Sequence, residues 1–188
     1  MVSLELSDAV TDLEQIIALQ RLNHPTVVSS DTWATQGFVT MEYTVQQLQT
    51  MSGKYRHVVA KHKDAVVGYA LIMLKDHRAS FPFLESMFQD IEAGVYQGKP
   101  LQESRYFVMG QVCVAKEFRG TGLFKKLYHA LREQMRSDFD YVLTEVSAKN
   151  GKSMRAHQHL GFENIKPEET GSSEWKVIAW DWRNGYSA

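Results

Sequence analysis

The chain has 188 residues, of which 44% are hydrophobic and 23% charged, a composition typical of one globular domain with a full core. Lys and Arg number 21 against 22 Asp and Glu, so no charge excess favours nucleic acid or an anionic membrane as a partner. A single cysteine, Cys113, excludes an internal disulfide framework and a cysteine-built zinc site, and it is typical of a reducing compartment.

The N-terminal segment has acidic residues where a secretory signal has a basic patch and an apolar run, and no stretch is apolar for long enough to cross a bilayer. A cytoplasmic location is therefore predicted. No repeat, low-complexity tract or Ser/Gly-rich linker marks a boundary, and the four prolines are scattered. We predict one domain over residues 1–188, and both a monomer and a homodimer are compatible with the sequence.

The first part of the chain combines predicted strands and helices. A strand, two helices and two more strands are predicted over residues 2–6, 11–22, 44–51, 56–61 and 65–74. In the first helix Leu13, Ile16 and Ile17 form an apolar face. Residues 62–64 form a short polar turn between the last two strands, which predicts an antiparallel hairpin.

Residues 76–104 do not fit a simple series of strands. Large apolar side chains recur there at helical spacing, at Phe83, Leu84, Met87, Phe88 and Ile91. Gly94, Gly98 and Pro100 then end the pattern. A helical excursion is predicted for this segment.

The pattern from residue 106 onward is strand, glycine turn, helix and strand. A largely apolar strand over 106–114 precedes Gly120 and Gly122. The helix that follows has an apolar stripe of Leu123, Leu127, Leu131 and Met135. A strand over 141–146, a short helix over 152–160 and a closing strand over 175–182 complete the chain. This order predicts a parallel strand pair inside a mixed sheet.

The glycine turn is a candidate anion site. A turn of this kind exposes backbone N–H groups at the positive end of the helix dipole, where phosphate commonly binds. Gly120 and Gly122 let a pyrophosphate approach the backbone, and Arg119 and Lys125 add charge at the rim. Taken alone, the turn is explained equally well as a simple connection between a strand and a helix. The chain lacks the P-loop pattern and the third glycine of the dinucleotide fingerprint, which argues against both nucleotide folds.

Two sequence blocks resemble the GNAT acetyltransferase superfamily. Residues 114–124 are similar to its valine-led strand end and its Arg/Gln-x-x-Gly-x-Gly/Ala loop, except that Phe124 stands where the family has Gly or Ala. A second block matches the spacing of the family's closing motif, with Glu145, Val146, Asn150, Ser153, Ala156, His157, Leu160, Gly161 and Phe162. The specific resemblance covers residues 106–162.

The resemblance implies an α/β fold of the α+β type, with one GNAT domain over the whole chain. Its central sheet is mostly antiparallel, splays open between the parallel strands that end at Val114 and Val146, and is flanked by helices. Acetyl-CoA is expected in this cleft as co-substrate, without a metal. The residues implied to contact it are Val112, Cys113, Val114, Arg119, Gly120, Thr121, Gly122, Leu123, Phe124, Asn150, Ser153 and His157.

Four residues are candidates for catalysis. The family usually has a tyrosine as general acid at the position of His157, so we assign the role of proton donor to this histidine. The alternative is that His157 only contacts the cofactor or the core. An alkylammonium with a pKa of about 10.4 must lose a proton before it attacks, and the candidate bases are Tyr106, Gln111 and Glu145. Glu145 could equally be a structural strand residue. Cys113 is expected to be a small buried residue rather than an acyl carrier.

The predicted function is direct transfer of acetyl from acetyl-CoA to a primary amine of a small metabolite or peptide. A non-catalytic module that senses acetyl-CoA and an enzyme with a different acyl donor are the alternatives. No nucleic acid or membrane partner is predicted. Residues 76–104 are expected to cap the acceptor pocket, where Glu85, Asp90 and Glu92 either attract a cationic amine or form a solvated helix face.

Overall fold

A seven-stranded sheet lies at the centre of the computed structural model, which describes residues 1–30, 33, 37–165 and 174–183. Its strands are β1 (Ser3–Leu6), β2 (Val58–His62), β3 (Ala65–Met73), β6 (Tyr106–Val114), β7 (Tyr141–Ser147), β8 (Glu163–Asn164) and β9 (Trp175–Asp181). Strands β4 (Val95–Tyr96) and β5 (Lys99–Pro100) form a separate hairpin. The order across the main sheet is β1-β2-β3-β6-β7-β9-β8.

Helices cover both faces of this sheet. They are α1 (Val10–Leu22), α2 (Val45–Met51), α3 (Glu85–Glu92), α4 (Leu123–Met135) and α5 (Gly151–Leu160). Helix α2 begins with a capping box, because Thr44 Oγ1 accepts the Gln47 amide proton and Gln47 Oε1 accepts that of Thr44. In the described ranges no helix combines the length and the apolar composition needed to cross a membrane.

The parallel pair β6–β7 is the place where the sheet opens. The two strands pair from Tyr106 with Tyr141 to Val108 with Leu143, and their register ends there although both strands continue. Thr144 Oγ1 donates to the Met109 carbonyl oxygen at 3.1 Å, which bridges the strands at the fork. The other strand pairs described are antiparallel. The predicted mixed, mostly antiparallel sheet with one parallel pair is therefore confirmed.

Alternate side chains of the strands enter two separate core clusters, one on each face of the sheet. Val108 and Leu143 belong to the cluster beneath α1 and α2, whereas Phe107 and Val142 belong to the cluster beneath α4 and α5. This follows from the two-residue repeat of a strand, which points neighbouring side chains to opposite faces. Below, these faces are called the α1 face and the α4 face.

Most predicted elements agree with the observed ones to within two residues. The turn between β2 and β3 consists of Lys63 and Asp64, whose φ angles of 50° and 64° are those of a tight two-residue hairpin turn. The excursion at 76–104 contains α3, as predicted, but also 3₁₀ turns and the β4–β5 hairpin, which the sequence pattern did not indicate. Strands of two residues are too short to show an alternating pattern.

We predict that Leu131→Ala lowers the free energy of unfolding by about 2–5 kcal/mol, because Leu131 is completely buried in the α4-face cluster and truncation leaves a cavity. Urea denaturation followed by circular dichroism measures the change. The exposed Lys126→Ala on the same helix is the control and should change stability by about 0.5 kcal/mol or less. Equal effects of the two substitutions would contradict the assigned helix face.

Candidate functional site

Two adjoining cavities lie along the cleft between β6 and β7. The glycine-loop cavity, of about 330 Å³, is bounded by the end of β6, the turn at 119–122 and the start of α5. The inter-strand cavity, of about 80 Å³, lies between residues 110–112 and 144–147. Both are lined by Phe38, Val39, Val112, Asn150 and Ser153. The two cavities are therefore neighbouring parts of one cleft.

The glycine turn leaves its backbone open to the first cavity. Gly120 and Gly122 have φ angles of 76° and 77°, a left-handed conformation that glycine adopts without strain. A Cβ atom added at either position would meet no atom within 4 Å. Helix α4 begins at Leu123, so its first amides lack intrahelical acceptors and the positive end of its dipole lies at the turn. The geometry is that of an anion site.

The wall of the glycine-loop cavity is positively charged. Arg119, Lys125 and Lys152 line it, and the described lining residues include no Asp or Glu. Burial, with the nearby guanidinium groups of Arg119 and Arg155, lowers the pKa of Lys152. Such a concentration of positive charge favours an anionic ligand.

Arg119 and Asn150 also hold the cavity walls together. Arg119 donates from Nε to the Val114 carbonyl oxygen at 3.0 Å and from a terminal nitrogen to Asn23 Oδ1 at 2.5 Å. Asn150 accepts the Ser153 amide proton at 3.2 Å and donates from Nδ2 to the Phe38 carbonyl oxygen at 3.0 Å. These bonds tie the turn and α5 to α1 and to the segment at 37–41, which we call the strap.

Most of the predicted cofactor contacts lie around the first cavity. Its lining includes Val112, Cys113, Val114, Arg119, Gly120, Gly122, Leu123, Phe124, Asn150 and Ser153. Thr121 instead donates its hydroxyl proton to the Phe118 carbonyl oxygen at 2.7 Å, within the turn. His157 lines the inter-strand cavity. The individual contacts to a cofactor stay predictions.

Three of the four catalytic candidates, Gln111, Glu145 and His157, line the inter-strand cavity. Tyr106 lies apart from them, at the start of β6, where it borders a different cavity of about 600 Å³, the distal cavity. A strand rise of 3.3 Å per residue puts it roughly 16 Å from Gln111. Its hydroxyl is 3.5 Å from a Glu92 carboxylate oxygen, and burial raises its pKa.

Gln111 and Glu145 lie on the α1 face. Glu145 follows the alternation of β7, between Thr144 and Val146, which puts it on the same side as Leu143. Gln111 accepts the Tyr69 hydroxyl proton at 2.5 Å and donates to the Met41 carbonyl oxygen of the strap at 2.8 Å. A carboxamide has no basic nitrogen. Glu145 is consequently the better base of the two.

His157 lies on the α4 face and is almost completely buried. Its Nδ1 is 2.8 Å from the Ser153 carbonyl oxygen, which only accepts, so Nδ1 carries the proton. Its Nε2 then accepts the Tyr128 hydroxyl proton at 2.7 Å. Burial lowers the pKa of His157 to about 4, so the ring is neutral at pH 7. Proton donation by this residue stays a prediction, and the imidazolium form is not available for it at neutral pH.

Cys113 is a buried free thiol. Burial raises its pKa to about 11, so the reactive thiolate is scarce at neutral pH. In the described part of the chain, no three His, Cys, Asp or Glu side chains lie close enough together to bind a metal ion.

The segment at 76–104 lines neither cavity of the cleft. Its helix packs Phe88 and Ile91 into the α1-face cluster, and Asp76 borders the distal cavity. Two of the carboxylates expected to attract an amine, Glu85 and Glu92, pair with Arg78 at 3.8 and 2.9 Å. Capping of the acceptor pocket by this segment therefore stays a hypothesis, whereas the strap does border both cavities.

Sequence reasoning missed the strap, Asn23 and Tyr128. The strap has no regular secondary structure, and only the fold brings it to β6. Asn23 follows the last turn of α1, where a polar residue is ordinary. Tyr128 follows Leu127 on the buried side of α4. A buried tyrosine hydroxyl needs a hydrogen-bond partner, and this was the one signal that could have indicated its contact.

Comparison with known proteins indicates one family. The model of the acetyltransferase (GNAT) family matches residues 24–162. No curated protein matches the chain in sequence. The chain is similar in structure to the ribosomal-protein-S18-alanine N-acetyltransferase from Escherichia coli, with 13% identity, a TM-score of 0.60, and coverage of 96% of this chain and 94% of that one.

Two other similar structures contain bound ligands. One is yncA from Salmonella typhimurium, a suggested acetyltransferase with its cofactor acetyl-CoA, which has 14% identity, a TM-score of 0.59 and coverage of 100% and 97% of the two chains. The other is the diaminobutyrate acetyltransferase EctA from Paenibacillus lautus with L-2,4-diaminobutyric acid and coenzyme A, with 16% identity, a TM-score of 0.56 and coverage of 95% and 93%. At these identities the similarity shows a shared fold.

The buried state of His157 predicts a pH dependence of stability. Its pKa is about 4 in the folded chain against the ordinary 6.5, so the unfolded chain binds more protons between these values. The free energy of unfolding should therefore fall as the pH is lowered from 6.5 to 4. His57 is also buried, with a pKa lowered to about 4, and should contribute in the same direction.

Urea denaturation at several pH values measures this slope. We expect His157→Gln to reduce it by up to about 1.4 kcal/mol per pH unit, the value for one proton. Gln158→Ala, which changes an exposed residue of the same helix that has no titratable group, should leave the slope as it is in the wild type. A slope for His157→Gln equal to that of the wild type would show that the ring titrates normally.

Proposed function

The chain belongs to the acetyltransferase (GNAT) family, and from this we propose that it transfers an acetyl group from acetyl-CoA to a primary amine of a small metabolite or peptide. The amine attacks the thioester directly, with both substrates bound at once. One observation carries the proposal: the anion site at Gly120 and Gly122 opens into the cleft where β6 and β7 separate. A ligand with a phosphate end and a long polar arm matches this arrangement.

We expect each group of coenzyme A to meet a complementary part of the cleft. Its pyrophosphate matches the amides at 119–123 and the charges of Arg119, Lys125 and Lys152. Its pantetheine arm matches the edge of β6 around Val112 and Val114, which lies beyond the register with β7. Amide groups of the arm need partners when they are buried, since each unpaired group costs about 1–3 kcal/mol.

The acceptor amine needs a base. Deprotonating an alkylammonium of pKa 10.4 at pH 7 costs roughly 4.6 kcal/mol, at 1.36 kcal/mol per pH unit. We assign this role to Glu145, which lines the inter-strand cavity on the α1 face, opposite the side on which α5 lies. The amine nitrogen then attacks the carbonyl carbon, the C–N bond forms and the C–S bond breaks. The nitrogen loses two protons in all: Glu145 takes the first before the attack and releases it to water, and the second ends on the thiol of coenzyme A, whose pKa is near that of cysteine, about 8.5.

An acetyl-CoA sensor without catalysis is the alternative function. It is favoured by one observation: both ring nitrogens of His157, at the position of the family's usual tyrosine acid, already have partners in the protein. A different acyl donor is less well supported, because the inter-strand cavity of about 80 Å³ suits a short acyl group. We place the activity in the cytoplasm, where the thiol of Cys113 stays reduced, with no role for nucleic acid or membrane.

We predict that the wild-type chain releases free thiol when it is mixed with acetyl-CoA and one member of a panel of polyamines, amino acids and short peptides. Glu145→Gln should lower kcat by roughly 100-fold or more, the usual contribution of a general base, while acetyl-CoA still binds. Thiol release is followed with a chromogenic disulfide, and binding by calorimetry. Tight binding of acetyl-CoA without turnover for any amine would favour the sensor, and the absence of binding would reject both functions.

The anion site is tested by two substitutions at one position. Gly122→Asp and Gly122→Asn impose the same left-handed strain and nearly the same volume, but only aspartate puts a negative charge beside the pyrophosphate. We expect the Kd for coenzyme A to be at least about tenfold higher for Gly122→Asp than for Gly122→Asn, as one repulsive contact costs about 1.4 kcal/mol or more. Equal affinities of the two variants would remove the pyrophosphate from this turn.

A further inference from the structure

A chain of three hydrogen-bonded side chains runs from the interior of the α4 face to the cleft. The Tyr128 hydroxyl is 2.7 Å from Nε2 of His157, and Nδ1 of His157 is 3.3 Å from the Ser153 hydroxyl oxygen. Nδ1 also lies 2.8 Å from the Ser153 carbonyl oxygen. The imidazole therefore connects a buried tyrosine with a serine in the first turn of α5.

The direction of each bond follows from the chemistry of the partners. A carbonyl oxygen only accepts, so the ring proton is on Nδ1, and Nε2 must accept from Tyr128. The Nδ1 proton is shared between the carbonyl and the hydroxyl oxygen of Ser153, so that hydroxyl is an acceptor toward the ring. Its own proton then points away from His157.

Ser153 is the member of these three that lines both cavities, whereas His157 lines only the inter-strand cavity. Tyr128 and His157 are 0% and 2% exposed, whereas Ser153 is half-buried and lines both the glycine-loop and the inter-strand cavity. The rings of Phe124 and Phe162 pack edge-on against His157, at 5.1 and 4.9 Å between centroids, and restrict its movement. Because Ser153 is the more exposed of the two and lines both cavities, its hydroxyl is more accessible to a bound group than the imidazole.

We infer that the Ser153 hydroxyl donates a hydrogen bond to the sulfur that departs from acetyl-CoA, and that His157 and Tyr128 are positioning residues that hold it. This inference rests on the proposed acetyl transfer. In this inference Ser153 stabilises the departing sulfur. His157, at the position of the family's tyrosine, only orients the serine, which a neutral ring can do.

The step balances without a change in the protonation state of Ser153, His157 or Tyr128. When the C–S bond breaks, its electron pair stays on sulfur, and the Ser153 O–H stabilises that charge as a hydrogen-bond donor. The proton that finally resides on the thiol is the one that the amine nitrogen releases, so Ser153, His157 and Tyr128 finish as they began. A serine hydroxyl is a far weaker acid than a thiol of pKa about 8.5, which is why it donates a bond rather than its proton.

The decisive variants change the hydroxyl and leave the backbone alone. Ser153→Ala should lower kcat by roughly 10- to 100-fold. Removing a hydrogen-bond donor to a developing oxyanion typically lowers kcat by about 100- to 1000-fold, so the expected loss is at or below the lower end of that range. Its Kd for acetyl-CoA should stay within about twofold of the wild type. Ser153→Thr, which keeps a hydroxyl, should restore most of the activity. The matched control is Ser137→Ala, which removes the hydroxyl of an exposed serine outside both cavities and should leave kcat unchanged.

A spectroscopic measurement tests the positioning residues in the whole protein. Long-range ¹H–¹⁵N correlation at pH 7 should show His157 in the Nδ1-protonated tautomer. In Tyr128→Phe, Nε2 loses its donor, and its ¹⁵N shift should move downfield while kcat falls without a change in the Kd for acetyl-CoA. A role confined to packing would leave kcat unchanged.

Each contrary result identifies what fails. An active wild type whose turnover is unaffected by Ser153→Ala overturns the role of the hydroxyl alone. Loss of acetyl-CoA affinity parallel to the loss of kcat makes Ser153 a binding residue only, and an Nε2-protonated His157 breaks the chain of bonds. A wild type that binds acetyl-CoA but acetylates none of the amines overturns the proposed function, and the role of Ser153 with it.

Discussion

The end of pairing between β6 and β7 is the constraint on which the rest of the structure depends. Strands that separate inside a sheet leave backbone groups on both edges without their usual partners, and such groups are costly to bury. The fork begins after Val108 and Leu143, and Thr144 bridges it through the Met109 carbonyl oxygen. Beyond this point the space between the strands is a cleft with polar edges, which is why a ligand with its own amide groups suits it.

Long-range polar contacts give this cleft its walls. The strap is held by side chains from two different elements: Gln111 of β6 bonds to Met41, and Asn150 at the start of α5 bonds to Phe38. Just after the strap, Gln20 of α1 accepts the Tyr43 amide proton. Each of these contacts spans more than twenty residues of sequence. The two cavities share the strap as a wall, so the part of the chain that encloses the anion site also encloses the candidate acceptor space.

The two departures from the family pattern contact each other. Phe124 stands where the loop motif has a small residue, His157 stands where a tyrosine is usual, and their rings pack perpendicular at 5.1 Å between centroids. Tyr128, one turn after Phe124, supplies the hydroxyl that meets the imidazole. A bulky residue at 124 and a smaller ring at 157 are therefore parts of one packing arrangement, in which a tyrosine hydroxyl is retained but comes from α4 and lies behind the histidine.

The sequence by itself determined the elements whose signals are local. The apolar run of β6 predicted a strand, the apolar stripe of α4 predicted a helix, and the glycine turn predicted a candidate anion site, because each of these signals lies within a short stretch of sequence. It also suggested, through the two motif blocks, most of the residues that line the first cavity. Only the tertiary structure decided which candidates share the cleft. Tyr106 and Gln111 belong to one strand, but only the first part of β6 pairs with β7, and the second part borders the cleft. The strap, Asn23 and the Tyr128–His157 contact were equally hidden, since bonds between distant residues depend on how the elements pack and leave no period in the chain.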